Sequence, residues 1–295
     1  MNNQKHEPVM LAEAIQYLNP EANDNFVDGT VGDGGHAQAI LERTAPNGKL
    51  IGFDRDERAL QRAEHNLSKF GERVKLINDN FANIDNYVSG DFKTSGILLD
   101  FGFSLIQIKA AERGFSFREQ GPLDMRYDQR QEISAADIVN TYSEERLVEI
   151  FRKYGEERYA RPIAKEIIAY RKKTPIATTL ELVSVVSRAV PKSYLHSHIH
   201  FATRIFQALR IETNKELEAI EEVLPKAIKL LNSGGRLVTI SFHSLEDRIV
   251  KQFFKQQEKE ACIKILTKKP IKPSAEEVNS NPRARSAKLR AIEKK

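Results

Sequence analysis

Short apolar runs alternate with amphipathic stretches along the first hundred residues of the chain. Runs with the length and composition of buried strands occur at residues 26–28, 49–54, 74–77 and 96–100. Between two of them, residues 57–70 carry apolar side chains at helical spacing, and Gly71 follows as a typical helix stop. Strands that alternate with helices predict a parallel sheet with helices on both of its faces.

The alternation stops between residues 110 and 203, where the pattern predicts helices and no clear strand. Ser143 and Thr179 are candidate N-caps for two of these helices. A basic amphipathic stretch at residues 157–173 predicts another helix. We therefore expect a helical insertion in the α/β pattern.

The α/β pattern resumes after the insertion. A long helix is predicted near residues 202–231, and strands are predicted at residues 236–242 and 286–292. Residues 268–282 are low in apolar side chains and are predicted to form a loop. The last strand alternates apolar and polar residues, so we expect it to join the sheet.

The chain length of 295 residues suits one large domain or two modest ones. The pattern predicts an α/β fold, with a doubly wound, mostly parallel sheet formed by residues 1–109 and 204–295 and an inserted helical domain at residues 110–203. The N-terminus is polar, no apolar run approaches the roughly 20 residues of a membrane span, and Cys262 is the single cysteine. A cytoplasmic protein without a disulfide is the simplest expectation.

Positive charge is concentrated near the C-terminus. The net charge is +5, but residues 264–295 hold ten Lys or Arg against three Glu, a balance of +7, so the rest of the chain balances at −2. A basic stretch beside a nearly neutral body suits a polyanionic partner such as nucleic acid. The alternative is a solvated terminus that only aids solubility.

A glycine loop follows the first predicted strand. Residues 28–36 read Asp-Gly-Thr-Val-Gly-Asp-Gly-Gly-His, and doubly wound sheets bind ligands where such loops leave the strands. Gly32, Gly34 and Gly35 lack a Cβ, which lets a ligand approach the backbone closely. The loop fits the dinucleotide pattern G-x-G-x-x-G/A, although chance glycines in a turn remain an alternative.

Two aspartates close predicted strands near this loop. Asp54 lies 20 residues after Gly34, a spacing at which a carboxylate binds ribose hydroxyls in NAD and S-adenosylmethionine sites alike; a helix N-cap is the alternative. Asp100 is expected beside the reactive end of the cofactor, where a carboxylate suits a sulfonium better than a neutral nicotinamide. Phe81 is a candidate cover for the adenine ring, or plain core. These residues favour a methyltransferase and leave an NAD-dependent oxidoreductase open.

A series of short motifs follows the glycine loop. They are Leu99-Asp-Phe-Gly102, Glu112-Arg-Gly-Phe-Ser-Phe117, Gly121-Pro-Leu-Asp-Met-Arg126, Tyr154-Gly-Glu-Glu-Arg158, Phe206-Gln-Ala-Leu-Arg-Ile211, Gly234-Gly-Arg236, Ser241-Phe-His-Ser-Leu-Glu-Asp-Arg248 and Asn281-Pro-Arg-Ala-Arg-Ser286. In this order they resemble the 16S ribosomal RNA cytosine-N4 methyltransferases of the RsmH (MraW) family, over nearly the whole chain. The resemblance implies a class I, Rossmann-like methyltransferase fold. It also implies a substrate cytosine in the decoding region of small-subunit ribosomal RNA.

The resemblance implies a set of residues that bind S-adenosylmethionine: Gly34, Gly35, His36, Asp54, Phe81, Asp100 and Gln107. It also implies that the helical insertion recognises substrate. Leu105 stands where the family usually has a serine, and Phe201 stands where it has a proline. The first departure motivates a further alternative, a non-catalytic RNA-binding factor. Whether the chain forms a homodimer is left open by the sequence.

Asp100, Ser104 and His243 are the candidate catalytic residues, since they follow the fourth and fifth predicted strands. Cytosine N4 is a poor nucleophile because its lone pair is delocalised into the ring, so an acceptor bonded to its hydrogens would raise its reactivity. We expect Asp100 or its backbone neighbours to orient the amine, and His243 to lie near the base. A turn hydroxyl for Ser104 and a position next to a helix cap for His243 are the alternatives.

Candidate contacts to RNA lie in the helical insertion. Phe115 and Phe117 are candidates for stacking, with core packing as the alternative for this pair, and Arg113 and Arg126 are candidates for phosphate contacts. A basic helix offers further cations, with a solvated face as the alternative: Arg158, Arg161, Lys165 and residues 171–173. The alternating histidines at 196, 198 and 200 resemble a metal motif, but such residues without a nearby cysteine are more often loop residues, and no metal is expected.

Overall fold

The computed structural model describes residues 8–102 and 110–295, which fall into two compact units. Residues 8–102 and 217–295 form an α/β unit, and residues 110–216 form a helical unit. The helical unit therefore extends past the boundary predicted at residue 203. The reason is that the helix Thr203–Asn214 packs its buried face against helices of the insertion.

The described part of the α/β unit contributes seven strands to one sheet. In chain order they are β1 (Asn25–Asp28), β2 (Leu50–Phe53), β3 (Val74–Ile77), β4 (Thr94–Asp100), β5 (Leu231–Ser241), β6 (Ile263–Ile265) and β7 (Lys288–Lys294). Their order across the sheet is β3-β2-β1-β4-β5-β7-β6. Strands β1 to β5 pair in parallel, whereas β7 is antiparallel to both β5 and β6.

The sheet confirms the predicted doubly wound, mostly parallel α/β fold. Its first strand, β1, has neighbours on both sides, with β2 towards one edge and β4 towards the other. The chain thus reverses its winding direction between β1 and β4. In open α/β sheets, this switch point at the carboxyl ends of the strands is where ligands bind.

Helices complete both units. In chain order they are α1 (Leu11–Leu18), α2 (Gly35–Arg43), α3 (Glu57–Leu67), α4 (Ala135–Thr141), α5 (Glu144–Lys153), α6 (Ala160–Arg171), α7 (Thr179–Ala189), α8 (Lys192–Leu195), α9 (Thr203–Asn214), α10 (Glu216–Leu230), α11 (Ser244–Lys259) and α12 (Ala275–Ser280). Short 3-10 helices cover Ser68–Arg73, Phe81–Asn86, Gly90–Phe92, Ala111–Arg113 and Pro282–Ser286. No helix in the described ranges is long and apolar enough to cross a membrane.

The core of the α/β unit lies between the sheet and its helices. Phe26 of β1, Leu98 of β4 and Ile240 of β5 are fully buried in one cluster. Ile40 and Leu41 of α2 pack into the same cluster. Burying this apolar surface, at roughly 25 cal/mol per Å², provides the main stabilisation of the sheet and holds the strand ends in fixed positions.

Local hydrogen bonds decide where helices of the helical unit begin. Ser143 caps α5 as predicted, accepting a hydrogen bond from the Arg146 N–H. The predicted cap at Thr179 is wrong, because Thr178 caps α7 in a capping box with Glu181. The hydroxyl of Thr179 donates instead to the carbonyl of Glu119 at 2.6 Å.

The long helix predicted near residues 202–231 is two helices. The chain breaks at Lys215, whose φ of 51° is left-handed. Asn214 stabilises the break, because its buried amide donates to the carbonyl of Met125 at 2.7 Å and accepts from the N–H of Tyr127 at 2.8 Å. An ion pair of 2.8 Å between Arg210 and Glu216 spans the break.

The prediction of a loop at residues 268–282 is partly wrong, since α12 lies within this range.

Candidate active site

The glycine loop follows β1 at the switch point of the sheet. Gly32 and Gly34 adopt positive φ values of 53° and 89°, where a Cβ is strained. A Cβ on Gly35 would lie 2.6 Å from Cγ of Pro8. The N–H of Val31 donates to the carbonyl of Phe53 at 2.8 Å, which ties the loop to β2. The sequence thus specifies a tight loop that ordinary side chains would distort.

Three adjacent strands each end in an aspartate around this loop. Asp28 ends β1 and Asp100 ends β4, while Asp54 directly follows β2. Asp28 is fully buried, and the other two are half-buried. Parallel strands bring their carboxyl ends to the same edge, so three carboxyl groups lie together where a ligand would enter.

Asp54 holds the glycine loop by a direct hydrogen bond. Its Oδ2 accepts from the N–H of Gly32 at 3.0 Å, and its Oδ1 accepts from the N–H of Asp56 at 2.8 Å. The helix-cap alternative for Asp54 is wrong, because Asp56 caps α3. Burial raises the pKa of the Asp54 carboxyl to about 6, and the charge of Asp56 adds to the shift.

Asp28 carries an unsatisfied oxygen. Its Oδ1 accepts from the N–H of Thr30 at 3.0 Å, whereas its buried Oδ2 has no hydrogen-bond partner among the described residues. Burial is the main cause that raises the pKa of this carboxyl to about 7, and the charges of Asp100 and Asp54 raise it further. A buried carboxyl oxygen without a partner is costly, so a cationic or hydrogen-bonding ligand at this point would relieve a real penalty.

Asp100 is fixed between the glycine loop and β5. Its N–H donates to Oγ1 of Thr30 at 2.7 Å, and its Oδ1 accepts from the N–H of Gly102 at 3.0 Å. Burial raises the pKa of the Asp100 carboxyl, while His36 and Arg283 oppose the shift. The side chain therefore lies in a partly dehydrated position with charged groups close by.

The remaining predicted cofactor residues lie at the same edge or outside the described ranges. The Phe81 ring is half-buried, with its centroid 6.0 Å from that of Phe101. His36 is buried, and its Nε2 lies 3.0 Å from the carbonyl oxygen of Val9. Ser104 and Gln107 lie outside the described residues, as does the substituted position Leu105.

His243 is itself the N-cap of α11, whereas the alternative from the sequence was a position next to a helix cap. Its Nδ1 accepts from the N–H of Glu246 at 3.4 Å, and its Nε2 lies 3.1 Å from Oε1 of the same residue. Glu246 is buried and accepts from the N–H of Phe242 at 2.7 Å. Both ring nitrogens thus face Glu246, and a catalytic part for His243 stays a prediction.

Sequence reasoning missed the contributions of Asp28, Thr30 and Arg283. Asp28 ends its strand as Asp54 and Asp100 do, so the same signal was available for it. Arg283 lies in the 3-10 helix Pro282–Ser286 and interacts electrostatically with Asp100 and Asp33. Burial lowers the pKa of its guanidinium, and those carboxylates oppose the shift. Nothing in the local pattern pairs this C-terminal arginine with the end of β4.

The two arginines of the insertion that were predicted to contact phosphates form hydrogen bonds and an ion pair within the insertion itself. Arg113 is only 5 % exposed, and its Nη2 donates to the carbonyls of Arg126 and Tyr127 at 2.9 and 3.0 Å. Arg126 forms an ion pair of 2.7 Å with Asp124. Phe115 is buried and stacks on Tyr127 at 5.4 Å between ring centroids. Phe115 is therefore a core residue, and the two arginines already have partners inside the insertion.

The basic helix α6 and its flanks present cations to solvent. Arg158, Arg161 and Lys165 are exposed, as are Lys172 and Lys173. Arg171 differs, because its Nη1 donates to the carbonyl of Val139 at 2.7 Å. The Arg158 guanidinium lies 4.8 Å from the ring centroids of Tyr159 and Tyr194. Exposed positive side chains along one helix can contact a polyanion.

The basic C-terminal stretch is partly built into the sheet. Arg290 is 7 % exposed and forms an ion pair of 2.7 Å with Asp247 of α11. The side chain of Lys294 donates to the carbonyl of Lys229 at 3.1 Å. Some of the charge that favoured a polyanionic partner therefore stabilises the fold.

The histidines at 196, 198 and 200 do not form a group of metal-ligand type within the described part of the chain.

Comparison with known proteins identifies the family. A model of the MraW methylase family matches residues 3–295. The chain is 50 % identical to the ribosomal RNA small subunit methyltransferase H of Syntrophotalea carbinolica, over 98 % of this chain and 97 % of that protein. It is 51 % identical to the protein of the same name from Thermotoga neapolitana, over 98 % and 95 %.

A solved structure shares the fold at low sequence identity. The crystal structure of a candidate rRNA methylase from Clostridium thermocellum superposes with a TM-score of 0.50 at 14 % identity, covering 98 % of this chain and all of that one (100 %). This likeness supports the fold alone. With a family model and relatives that span nearly the whole chain, the protein belongs to the MraW methylase family.

Proposed function

We propose that this protein is an S-adenosylmethionine-dependent methyltransferase that methylates the N4 amino group of a cytosine in the decoding region of 16S ribosomal RNA. The cluster of three aspartates around the glycine loop is the observation that most supports methyltransferase activity. The ribosomal substrate rests on membership of the MraW methylase family, whose relatives are named small-subunit methyltransferases.

The described residues fit S-adenosylmethionine. The buried Oδ2 of Asp28 lacks a partner, and carboxyl groups with raised pKa values are stabilised in their charged form by a cationic ligand. A neutral nicotinamide offers no such compensation at Asp100. The positive φ of Gly34 and the crowded position of Gly35, whose Cβ would lie against Pro8, require glycine at both positions and keep the loop tight.

Each cofactor residue has a proposed part. Asp54 accepts hydrogen bonds from the ribose hydroxyls while it continues to hold Gly32. Phe81 covers one face of the adenine ring. Gly34, Gly35 and His36 form the loop against which the cofactor lies. Gln107 is the remaining proposed cofactor-binding residue. When bound, S-adenosylmethionine supplies an electrophilic methyl group on a sulfonium.

Asp100 has the geometry of a group that orients the amine. The two hydrogen bonds to Thr30 and Gly102 fix its backbone and one carboxylate oxygen. A carboxylate that accepts from the amino hydrogens increases the electron density on N4, and a raised pKa suits the later uptake of the proton. Ser104 and His243 are retained as candidates beside it, with Asp100 in the central role.

The helical unit is assigned to substrate recognition. A cytosine within folded RNA must be presented unstacked before an enzyme can reach N4. The exposed cations of α6 are proposed to contact phosphates, with 16S ribosomal RNA in the small subunit as the partner. We place the reaction in the cytoplasm, where small subunits are present.

Transfer of labelled methyl groups tests this function. The protein is incubated with radiolabelled S-adenosylmethionine and small ribosomal subunits, beside Asp100→Asn and the exposed control Asp91→Asn. We expect label in 16S RNA with the parent protein and Asp91→Asn, and a loss of at least about a hundredfold with Asp100→Asn. Binding of both partners without transfer would instead mean a non-catalytic RNA-binding factor.

A further inference from the structure

Three aromatic rings form a stack in the helical unit, away from its buried core. The ring centroids of Phe117 and His200 lie 4.6 Å apart with planes at 12°. Those of His200 and Phe201 lie 4.3 Å apart with planes at 27°. Phe117 is anchored edge-on against the buried ring of Phe206 at 5.5 Å. The stack therefore has a fixed base, and His200 lies between two phenyl rings.

The stack is open to solvent on part of its surface. His200 is exposed, and Phe117 and Phe201 are only half-buried. The neighbouring Ile199 is 52 % exposed. Aromatic side chains normally bury most of their surface, so a pre-stacked and partly exposed group is more typical of a binding surface than of a core.

The charge beside the stack favours an anionic partner with flat rings. Arg118 is exposed and lies close enough for its charge to act on His200. Loss of solvation is the larger cause that lowers the pKa of the His200 imidazole, and Arg118 adds to it. A lowered pKa favours the uncharged imidazole, which can stack without a charged group being dehydrated.

We propose that Phe117, His200 and Phe201 form a stacking site for an unpaired nucleobase of the RNA substrate, with Arg118 contacting an adjacent phosphate. Aromatic side chains bind single-stranded RNA in this way, because every base presents a π-face. The proposal deepens the proposed function and rests on RNA being the substrate. It gives His200 a role in stacking and not in metal binding.

Fluorescence of a base analogue tests the proposal. A short single-stranded RNA that carries 2-aminopurine is titrated with the full-length protein, and quenching reports stacking of the analogue. Variants are His200→Ala, which removes the central ring, and His200→Phe, which keeps a flat ring. His198→Ala is the matched control, since His198 is an exposed histidine two positions away.

We expect quenching with the parent protein, His200→Phe and His198→Ala. His200→Ala should weaken binding about tenfold and reduce the quenching. Because stacking involves no counterion release, the dependence of affinity on salt should keep its slope in His200→Ala, whereas Arg118→Ala should lower that slope by about one. An RNA with an abasic site in place of the analogue should bind the parent protein and His200→Ala alike.

Equal quenching and affinity for His200→Ala and the parent protein would overturn the stacking site. Loss of binding in both His200→Phe and His200→Ala, together with a parent protein that binds only when zinc is added, would favour a metal site instead. Methyl transfer to small subunits is measured in parallel on the parent protein. If the parent protein stacks the analogue but transfers no methyl group, the proposed function fails and the stacking site stands.

Discussion

The backbone N–H of Asp100 donates to Oγ1 of Thr30 at 2.7 Å. The same hydroxyl lies 3.4 Å from Oδ1 of Asp28, so one side chain connects the ends of β1 and β4. Thr30→Val keeps the shape but leaves the Asp100 N–H without this acceptor. We expect affinity for S-adenosylmethionine to fall about tenfold by calorimetry, since such a loss costs roughly 1–3 kcal/mol.

Thr30→Ser is the matched control for this prediction, because it retains the hydroxyl. Its affinity for S-adenosylmethionine should stay within about threefold of the parent value. If the valine variant binds as well as the serine variant, the link between the two strand ends is unimportant for the ligand.

The buried carboxyl of Asp28 predicts a pH-dependent stability. Its pKa is raised from 3.8 to about 7 in the folded protein. The folded state therefore holds a proton that the unfolded state has released. The stability due to this group is fully present below about pH 4 and is lost as the pH rises through about 7.

Asp28→Asn removes that titration. Relative to the parent protein, the unfolding free energy of the variant should increase between about pH 4 and pH 8, by on the order of 2–4 kcal/mol. Urea denaturation at both pH values measures it. A constant difference across that pH range would show that Asp28 does not titrate there.

The affinity for the cationic ligand S-adenosylmethionine should rise with pH, whereas the stability due to Asp28 falls. The raised pKa values of the Asp28 and Asp100 carboxyls mean that protons must leave before these carboxylates can stabilise a sulfonium. We expect affinity for S-adenosylmethionine to rise about tenfold between roughly pH 5.5 and 7.5, with protons released on binding.

S-adenosylhomocysteine is the control ligand, since it keeps the ribose and amino group but lacks the sulfonium charge. Its affinity should change less over the same pH range. Calorimetry in two buffers of different ionisation enthalpy gives the number of protons released. Identical pH profiles for the two ligands would mean that the aspartates do not sense the sulfonium.

A substitution at Gly34 should lower both the stability of the protein and its affinity for S-adenosylmethionine, and a second glycine with positive φ allows the two effects to be separated. Gly34→Ala places a Cβ at a φ of 89° and about 3.0 Å from Leu67. Gly234→Ala also has a positive φ, of 80°, but nothing lies within 4 Å of its Cβ. Both should lose roughly 1–2 kcal/mol of stability from the left-handed backbone, and Gly34→Ala should in addition bind S-adenosylmethionine much more weakly. Equal affinity in the two variants would contradict a role for the loop.

Much of the sheet could be predicted because its strands are short apolar runs that end at polar residues. Residues 74–77 were assigned with the bounds that β3 has in the structure. Strand β6 has three residues, which is too short for a periodic signal. Helix α12 was not predicted, because its residues are mostly polar. Its N-cap is Ser274, whose hydroxyl accepts a hydrogen bond from the N–H of Glu277.

Tertiary contacts account for what the sequence did not reveal. The break between α9 and α10 lacks glycine or proline, and it depends on Asn214 bonding to Met125 and Tyr127 far away in sequence. Asp54 and Asp100 were predictable because strand ends fix their position. Arg283 was not, since only the folded C-terminal segment brings it near Asp100.

Identification of the modified nucleoside decides whether this protein methylates N4 of a cytosine in the decoding region. 16S RNA from cells with and without this protein is digested to oligonucleotides, whose masses locate the methyl group. A second digestion to nucleosides, separated by chromatography beside N4- and C5-methylcytidine standards, identifies the modified base. We expect one N4-methylated cytidine, mapped to the decoding region, that disappears without the protein and returns with the parent chain but not with Asp100→Asn. A methyl group on C5 of cytosine, on another base, or no difference between the two RNAs would contradict it.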